Sequence, residues 1–263
     1  MSSVVVCVVF FQPKKGDIEF WCSLARLWRN CIFYFYDNSA TSSDYSFSDH
    51  KNICYIFLGD NIGLSKAYNL ALNNCRAEDI LITFDQDSRP NKDYYNVVKD
   101  IFSKRKNVGV VGTSIGVHSK NNNCEVEVVD FVISSGSAFC VSILKGIGGF
   151  DEFYFIDRVD LDICTNIRQS GYEVLSTNYL KMGHQIGDEK QRFGIQYRDH
   201  SYYRIYYMSR NRVYYYKKYN IKYKRFRLFF GALRQLVFIS TLHDDKVRKL
   251  KWFVTGLYDG YKS

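Results

Sequence analysis

Ile80-Leu81-Ile82-Thr83-Phe84-Asp85-Gln86-Asp87-Ser88 is an apolar run of strand length that stops in two carboxylates. Side chains alternate along an extended backbone, so residues two apart point the same way, and Asp85 and Asp87 are expected to reach one spot beyond the strand. The same pattern would suit a solvated turn with Asp as a cap. Working outward, the run is one of several. Val4–Phe11 reads as a fully buried strand, Ile18–Trp28 carries a helical stripe, and Cys31–Tyr36 is a strand that stops at Asp37-Asn38. Ile53–Leu58 is a further strand, Leu64–Asn74 a helix and Val108–Gly112 another strand, with Pro90 expected in the first turn of the helix between. Repeated strand–helix–strand units predict an α/β fold, a Rossmann-like, mostly parallel sheet with helices on both faces. Ligands of such sheets bind beyond the carboxyl ends of the strands, where this chain puts Asp37, Asn61, Asp85 and Asp87.

Composition supports a folded protein. The 263 residues are 46% hydrophobic and 17% aromatic with only 2 prolines, enough apolar surface to offset the ordering entropy. Charge is uneven: residues 191–263 hold 17 Lys/Arg against 4 Asp/Glu, whereas the preceding 190 hold 19 against 23. A basic tail of this kind suits an anionic partner, a nucleic acid or an anionic membrane face. Its Phe226–Ile239 stretch has helical apolar spacing, which fits either a helix lying at a membrane interface or one packed on a core. The eight cysteines form no Cys-x-x-Cys pair and read as buried small hydrophobes in a reducing compartment. The opening apolar run is too short to span a bilayer, so a cytoplasmic protein is expected. There is no dinucleotide-binding Gly-x-Gly-x-x-Gly and no P-loop.

Two more stretches carry chemistry. In Gly148–Cys164, Asp157 falls near a helix cap and Asp160 in the first turn, on the face of Ile163, Cys164 and Ile167. Capping suffices to explain Asp157, whereas a carboxylate aimed inward needs a partner or a function. Met182-Gly183-His184-Gln185-Ile186-Gly187 follows the strand-like Glu173–Ser176, and its lone histidine suits either a structural role or a metal ligand. Strand-end carboxylates are what Mg2+ or Mn2+ takes alongside phosphate oxygens.

These stretches, together with Asn61-Ile-Gly-Leu-Ser-Lys-Ala-Tyr-Asn69, Ser134-Ser-Gly-Ser137, His184-Gln-Ile-Gly187, Tyr202-Tyr-Arg204 and Arg210-Asn211, resemble in type and order the inverting family 2 glycosyltransferases of GT-A fold, within them the bacterial rhamnosyltransferase-like group. The resemblance spans roughly residues 4–216, and Thr255–Gly260 is similar to family C-termini. It departs at Phe11-Gln12-Pro13, where the family often has Tyr-Asn-Pro, and at Asn166, where an arginine is usual and Arg168 stands two places later.

The resemblance implies a nucleotide-sugar domain over residues 1–200 and a basic helical region over 201–263 facing acceptor and membrane. It implies transfer of a sugar, L-rhamnose from dTDP-rhamnose before a UDP-hexose, to a lipid-linked oligosaccharide of bacterial O-antigen or capsule. Asp160 would be the general base. Phe11, Asp37, Asn61, Lys66, Asp85, Gln86 and Asp87 would line the donor, and Ser135, Asp157 and Arg204 the acceptor side. Asp87, Asp85 and His184 would hold Mg2+ or Mn2+. The acceptor would be a polyprenyl-diphosphate-linked oligosaccharide at the inner face of an anionic plasma membrane. A nucleic-acid partner is not expected, because the acidic strand ends would repel a polyanion. A nucleotidyltransferase would want a glycine-rich triphosphate loop that the chain lacks.

Overall fold

A computed structural model describes residues 3–42, 45–113, 126–180, 182–184 and 189–263. Its elements are β1 (Val4–Phe10), α1 (Lys15–Leu27), β2 (Cys31–Asp37), β3 (Ile53–Phe57), α2 (Leu64–Asn73), β4 (Ile80–Asp85), β5 (Ser88–Pro90), α3 (Tyr94–Lys104), β6 (Val108–Thr113) and β7 (Val126–Val128). There follow β8 (Ser137–Cys140), α4 (Val141–Gly146), α5 (Val159–Gln169), β9 (Glu173–Thr177), β10 (Met182–His184), β11 (Glu189–Arg192), β12 (Ile195–Arg198), α6 (Tyr202–Lys218), α7 (Lys224–Thr241) and α8 (Lys246–Lys262).

By its contacts the chain forms two compact units, Met1–Phe153 with Val159–Gln185, and Tyr154–Arg158 with Ile186–Ser263. The first is built on an eight-stranded sheet of order β3-β2-β1-β4-β8-β6-β9-β7. Six strands run one way, and β8 and β7 run against them. Every residue of β1 is buried, as a valine-rich central strand covered on both faces requires. Val4, Val6, Val8 and Phe10 meet the stripes of α1 and α3, where the Trp21 and Phe84 rings lie tilted with centroids 5.0 Å apart. Ala67, Tyr68, Ala71 and Leu72 of α2 are also buried, and α2 contacts β1 and β4.

The second unit is the hairpin β11–β12 with α6, α7 and α8. Ile205, Ile239 and Phe253, one from each helix, make its small core. Gly256 and Gly260 bring α8 against α6, since a Cβ on Gly256 would fall onto Ser209 Oγ and the Tyr206 carbonyl, and one on Gly260 onto the Arg210 carbonyl. Asp199 pins the hairpin to α8 through Lys249 Nζ at 2.5 Å and accepts Lys190 Nζ at 3.1 Å.

Three expectations change. Pro90 lies in β5, paired with Met182 of β10, and the next helix begins four residues later at Tyr94. Proline is tolerated at such an edge because no N–H is needed there. The helical unit starts before residue 201: β11 and β12 belong to it, as does the segment 154–158, although sheet-unit sequence flanks that segment on both sides. Asn211 Nδ2 donates to the Ile156 and Asp157 carbonyls at 2.7 and 2.9 Å, which fixes the segment to α6. Finally, the seven described cysteines are free as expected, but Cys54 is exposed and Cys140 half-buried.

Candidate active site

The site is set by strand register. Phe10 at the end of β1 pairs with Asp37 of β2, and Val9 pairs with Asp85 of β4, so the two aspartates flank the end of β1 on its two sides. Two interstrand spacings put those strands about 10 Å apart.

Asp37 is buried, and both its oxygens are engaged: Tyr55 Oη donates to Oδ2 at 2.7 Å and the Ser39 N–H to Oδ1 at 3.0 Å. Phe11, next to it at the β1 end, is 47% exposed. Its N–H donates to Gln86 Oε1 at 2.8 Å, while the Gln86 carbonyl accepts from Trp21 Nε1 at 2.9 Å and from Arg89 Nη1 at 2.9 Å. Gln86 thereby ties the β4–β5 connection to β1 and α1.

The extended backbone stops at Asp85, and Gln86 and Asp87 form a turn between β4 and β5. The strand alternation expected to aim both carboxylates together therefore does not apply across residues 85–87. Ser135 takes over the positioning. Its hydroxyl accepts the Asp85 N–H at 2.9 Å and shares a 2.6 Å hydrogen bond with Ser88 Oγ, so this buried side chain, expected on the acceptor side, sits among the groups that shape the turn. Thr83 Oγ1 donates to the Ser134 carbonyl at 2.6 Å, fastening the same loop. Asp87 itself is half-buried, and its carboxylate makes no hydrogen bond or ion pair among the described residues.

His184 is delivered by backbone pairing. In β10 it stands opposite Ser88 of β5, one residue from Asp87; its side chain, and Gln185-Ile186-Gly187, lie outside the described residues. Among the described side chains no three of His, Cys, Asp and Glu gather as a metal-holding group. An unpartnered hard carboxylate still fits Mg2+ or Mn2+, which takes one or two protein carboxylates plus substrate phosphates.

Asp160 lies in the first turn of α5, half-buried, with Oδ1 accepting the Leu161 N–H at 2.8 Å. Tyr68 is buried on α2, and burial first, then Asp85, Cys7 and Asp160, push its phenol well above its ordinary value. Asp162, two residues on, is the more deeply buried acid of this helix, and its polarity at a helix start gave no sign of it.

The two remaining blocks make local contacts. Asn61 Oδ1 accepts the Gly63 N–H at 3.1 Å and shapes the entry to α2, where Lys66 is exposed. Asn69 at the other end accepts the Phe150 N–H at 2.9 Å and donates to the Phe150 carbonyl at 2.8 Å. Gly149 has φ of +75°, and a Cβ there would lie 2.8 Å from Asn69 Oδ1, so glycine is required on both counts. Asp157 and Arg204 belong to the helical unit, where Arg204 Nη2 donates to Asp157 Oδ1 at 3.1 Å and Nε to both carboxylate oxygens at 3.3 Å.

Residues 22–135, which contain the β4 turn, match the model of glycosyl transferase family 2. This segment resembles a family 2 glycosyltransferase domain. The chain is similar along its length to the dTDP-rhamnosyl transferase RfbF of Shigella flexneri, at 25% identity over 99% of this chain and 96% of that one. Among solved structures it resembles the S. aureus TarS 1-349 complex with UDP-GlcNAc, with a TM-score of 0.53 and 13% identity over 99% of this chain and 73% of TarS 1-349. It also resembles GalNAc-T7 with UDP, GalNAc and Mn2+, with a TM-score of 0.56 and 11% identity over 81% of this chain. The chain spans 51% of that GalNAc-T7 chain and 35% of another TarS chain. The likenesses at TM-scores of 0.53 and 0.56 show the GT-A fold.

Proposed function

We propose that this glycosyltransferase moves L-rhamnose from dTDP-L-rhamnose to a hydroxyl of a lipid-linked oligosaccharide in O-antigen or capsule synthesis, with inversion at the anomeric carbon. The observation that carries the reading is the strand register that sets Asp37 and Asp85 on either side of the end of β1, with the unpartnered carboxylate of Asp87 in the turn that follows. The donor sugar rests on the RfbF likeness over 99% of the chain.

In this reading Asp160 accepts the proton of the acceptor hydroxyl as it attacks the anomeric carbon and the C–O bond to the diphosphate breaks. Asp87, with Asp85 and His184, would hold Mg2+ or Mn2+, whose chemistry there is Lewis-acid stabilisation of negative charge on the diphosphate. The end of β1 at Phe11 and the end of β2 at Asp37 offer a base pocket, and Asn61 and Lys66 lie at the start of α2 for donor contacts. Asp157 and Arg204 serve the acceptor. No helix among the described residues is long and apolar enough to cross a membrane. In this reading the lipid-borne acceptor is met at the inner face of the plasma membrane.

The test is a thermal-shift panel of dTDP-rhamnose, UDP-galactose and UDP-glucose with and without Mg2+ or Mn2+, followed by turnover with the stabilising donor. Metal-dependent stabilisation by dTDP-rhamnose above the others is expected, because a ligand of the native state raises the melting temperature. Preference for a UDP-hexose would change the donor. Release of pyrophosphate from a nucleoside triphosphate would overturn the class of reaction.

A further inference from the structure

The helical unit contains a cavity of about 320 Å3 between β12, α6 and α7, which none of the residues assigned to donor, base or acceptor lines. Its polar wall is cationic. Arg212 of α6 and Arg234 of α7 both face it, and Gln235 adds a side-chain carbonyl with no hydrogen-bond partner. Arg212 Nη1 is buried and likewise unpartnered, and it lies so near α7 that a Cβ on Gly231 would come within 3.0 Å of it. Burial, then the positive charges of Arg158 and Arg234, pull the Arg212 guanidinium below its ordinary value.

Three acids of this unit are engaged elsewhere. Asp157 is held by Arg204, Asp199 by Lys249 and Lys190, and Asp244 by Lys190. Arg158 rests on the rings of Tyr215 and Tyr216. A desolvated guanidinium crowded by like charge is costly, and an entering anion removes both costs. The guanidinium fork matches phosphoryl oxygens.

The lining also includes the apolar Ile205, Met208 and Phe238. From Phe238 the helix α7 continues into an exposed stripe at helical spacing, Phe226, Phe229, Phe230, Leu233 and Val237, with Phe226 66% and Phe229 62% exposed. Arg225 and Arg227 stand beside it. An inorganic anion would use the arginines and leave the stripe without function, whereas an amphiphile uses both.

We propose that this cavity seats the phosphoryl headgroup of a membrane lipid while the α7 stripe lies in the acyl boundary. The inference rests on the reading above in that it names what the helical region would recognise in a lipid-borne acceptor or its membrane. It requires only the lipid phosphate and is tested without sugar chemistry.

The experiment is sedimentation of the full chain with phosphatidylcholine vesicles, with and without phosphatidylglycerol. Phosphatidylglycerol is expected to raise binding at least tenfold. Arg212→Gln with Arg234→Gln should abolish that gain, and Arg225→Gln with Arg227→Gln, on the same helix outside the cavity, should retain at least ten times the binding of the cavity pair. Arg234 is exposed, so Arg234→Gln alone serves if the double variant does not fold, with an expected loss of more than fivefold. Equal losses from both arginine pairs would mean diffuse surface attraction and would overturn the seat. Stabilisation by inorganic pyrophosphate without any preference for phosphatidylglycerol vesicles would assign the cavity to a free anion and overturn the lipid. Loss of transfer activity leaves these readings untouched, so the two proposals fail separately.

Discussion

Around the β4 turn, polar groups are matched: Gln86 with Phe11 and Trp21, Ser135 with Asp85 and Ser88, and Asp37 with Tyr55. Against that background the bare carboxylate of Asp87 stands out. The helical unit differs, with glycine-to-backbone contact holding α6 on α8 while Arg212 of α6 and the exposed phenylalanines of α7 go unanswered. One region spends its hydrogen bonds on placing a few acids. The other spends close packing on displaying cations and apolar rings. Where a fold leaves a costly group unmatched, the matching group comes from a ligand.

The comparison breaks first at Asp160. Asp160→Asn is expected to lower turnover about 10²–10⁴-fold while donor affinity is kept, measured as kcat beside donor Kd. Near-native turnover would remove the base and leave the sheet edge as a binding site only. Next comes the close packing of the helical unit. Gly256→Leu should cost about 3 kcal/mol, at the upper end for overpacking, because the new side chain meets Ser209 and the Tyr206 carbonyl; denaturant titration reads it. Asp87→Ala should erase metal-dependent donor stabilisation, worth about 2.7 kcal/mol at a hundredfold excess over Kd, as seen by thermal shift. Ser135→Ala strands the Asp85 N–H and should cost about 1–3 kcal/mol, with looser donor binding measured by titration calorimetry.

Acid sharpens the contrast by the smallest amount. Burial holds His200 and His243 of the helical unit below the ordinary histidine value of 6.5, and His50 of the sheet unit likewise. A histidine with a depressed folded pKa favours the folded state when neutral, so its contribution is present above that ordinary value and is lost as pH falls through the folded one. Melting temperature should therefore decline on acidification below neutrality. Replacing His200 and His243 by glutamine should flatten that decline more than replacing His50.

Much of the sheet was legible because burial writes itself into short periods. The seven buried residues of β1 and the stripe of α1 are local patterns that need no partner to be read. The strand-end aspartates were legible for the same reason. The turn at Gln86-Asp87 was not: it depends on Ser135 and on the pairing of β5 with β10, groups some 50 and 95 positions away. Pro90 looked like a helix start because its partner Met182 is equally distant. Nothing local announced that 154–158 would attach to α6 through Asn211, or that Asp162 would be the buried acid of α5. The spacing of Phe226–Ile239 foretold a helix, but whether its rings pack or stay in water is decided by α6 and α8.

Gly256 and Gly260 have a consequence for biosynthesis. The central sheet is complete once β9 has been made at Thr177, and domains close in order of synthesis where their contacts allow. The helical unit cannot close until those two glycines emerge to meet α6, so Ile205 and Ile239 wait for Phe253 of α8 to complete their core. A nascent chain stalled between residues 241 and 252 would present that unfinished core to chaperones with the sheet unit already folded.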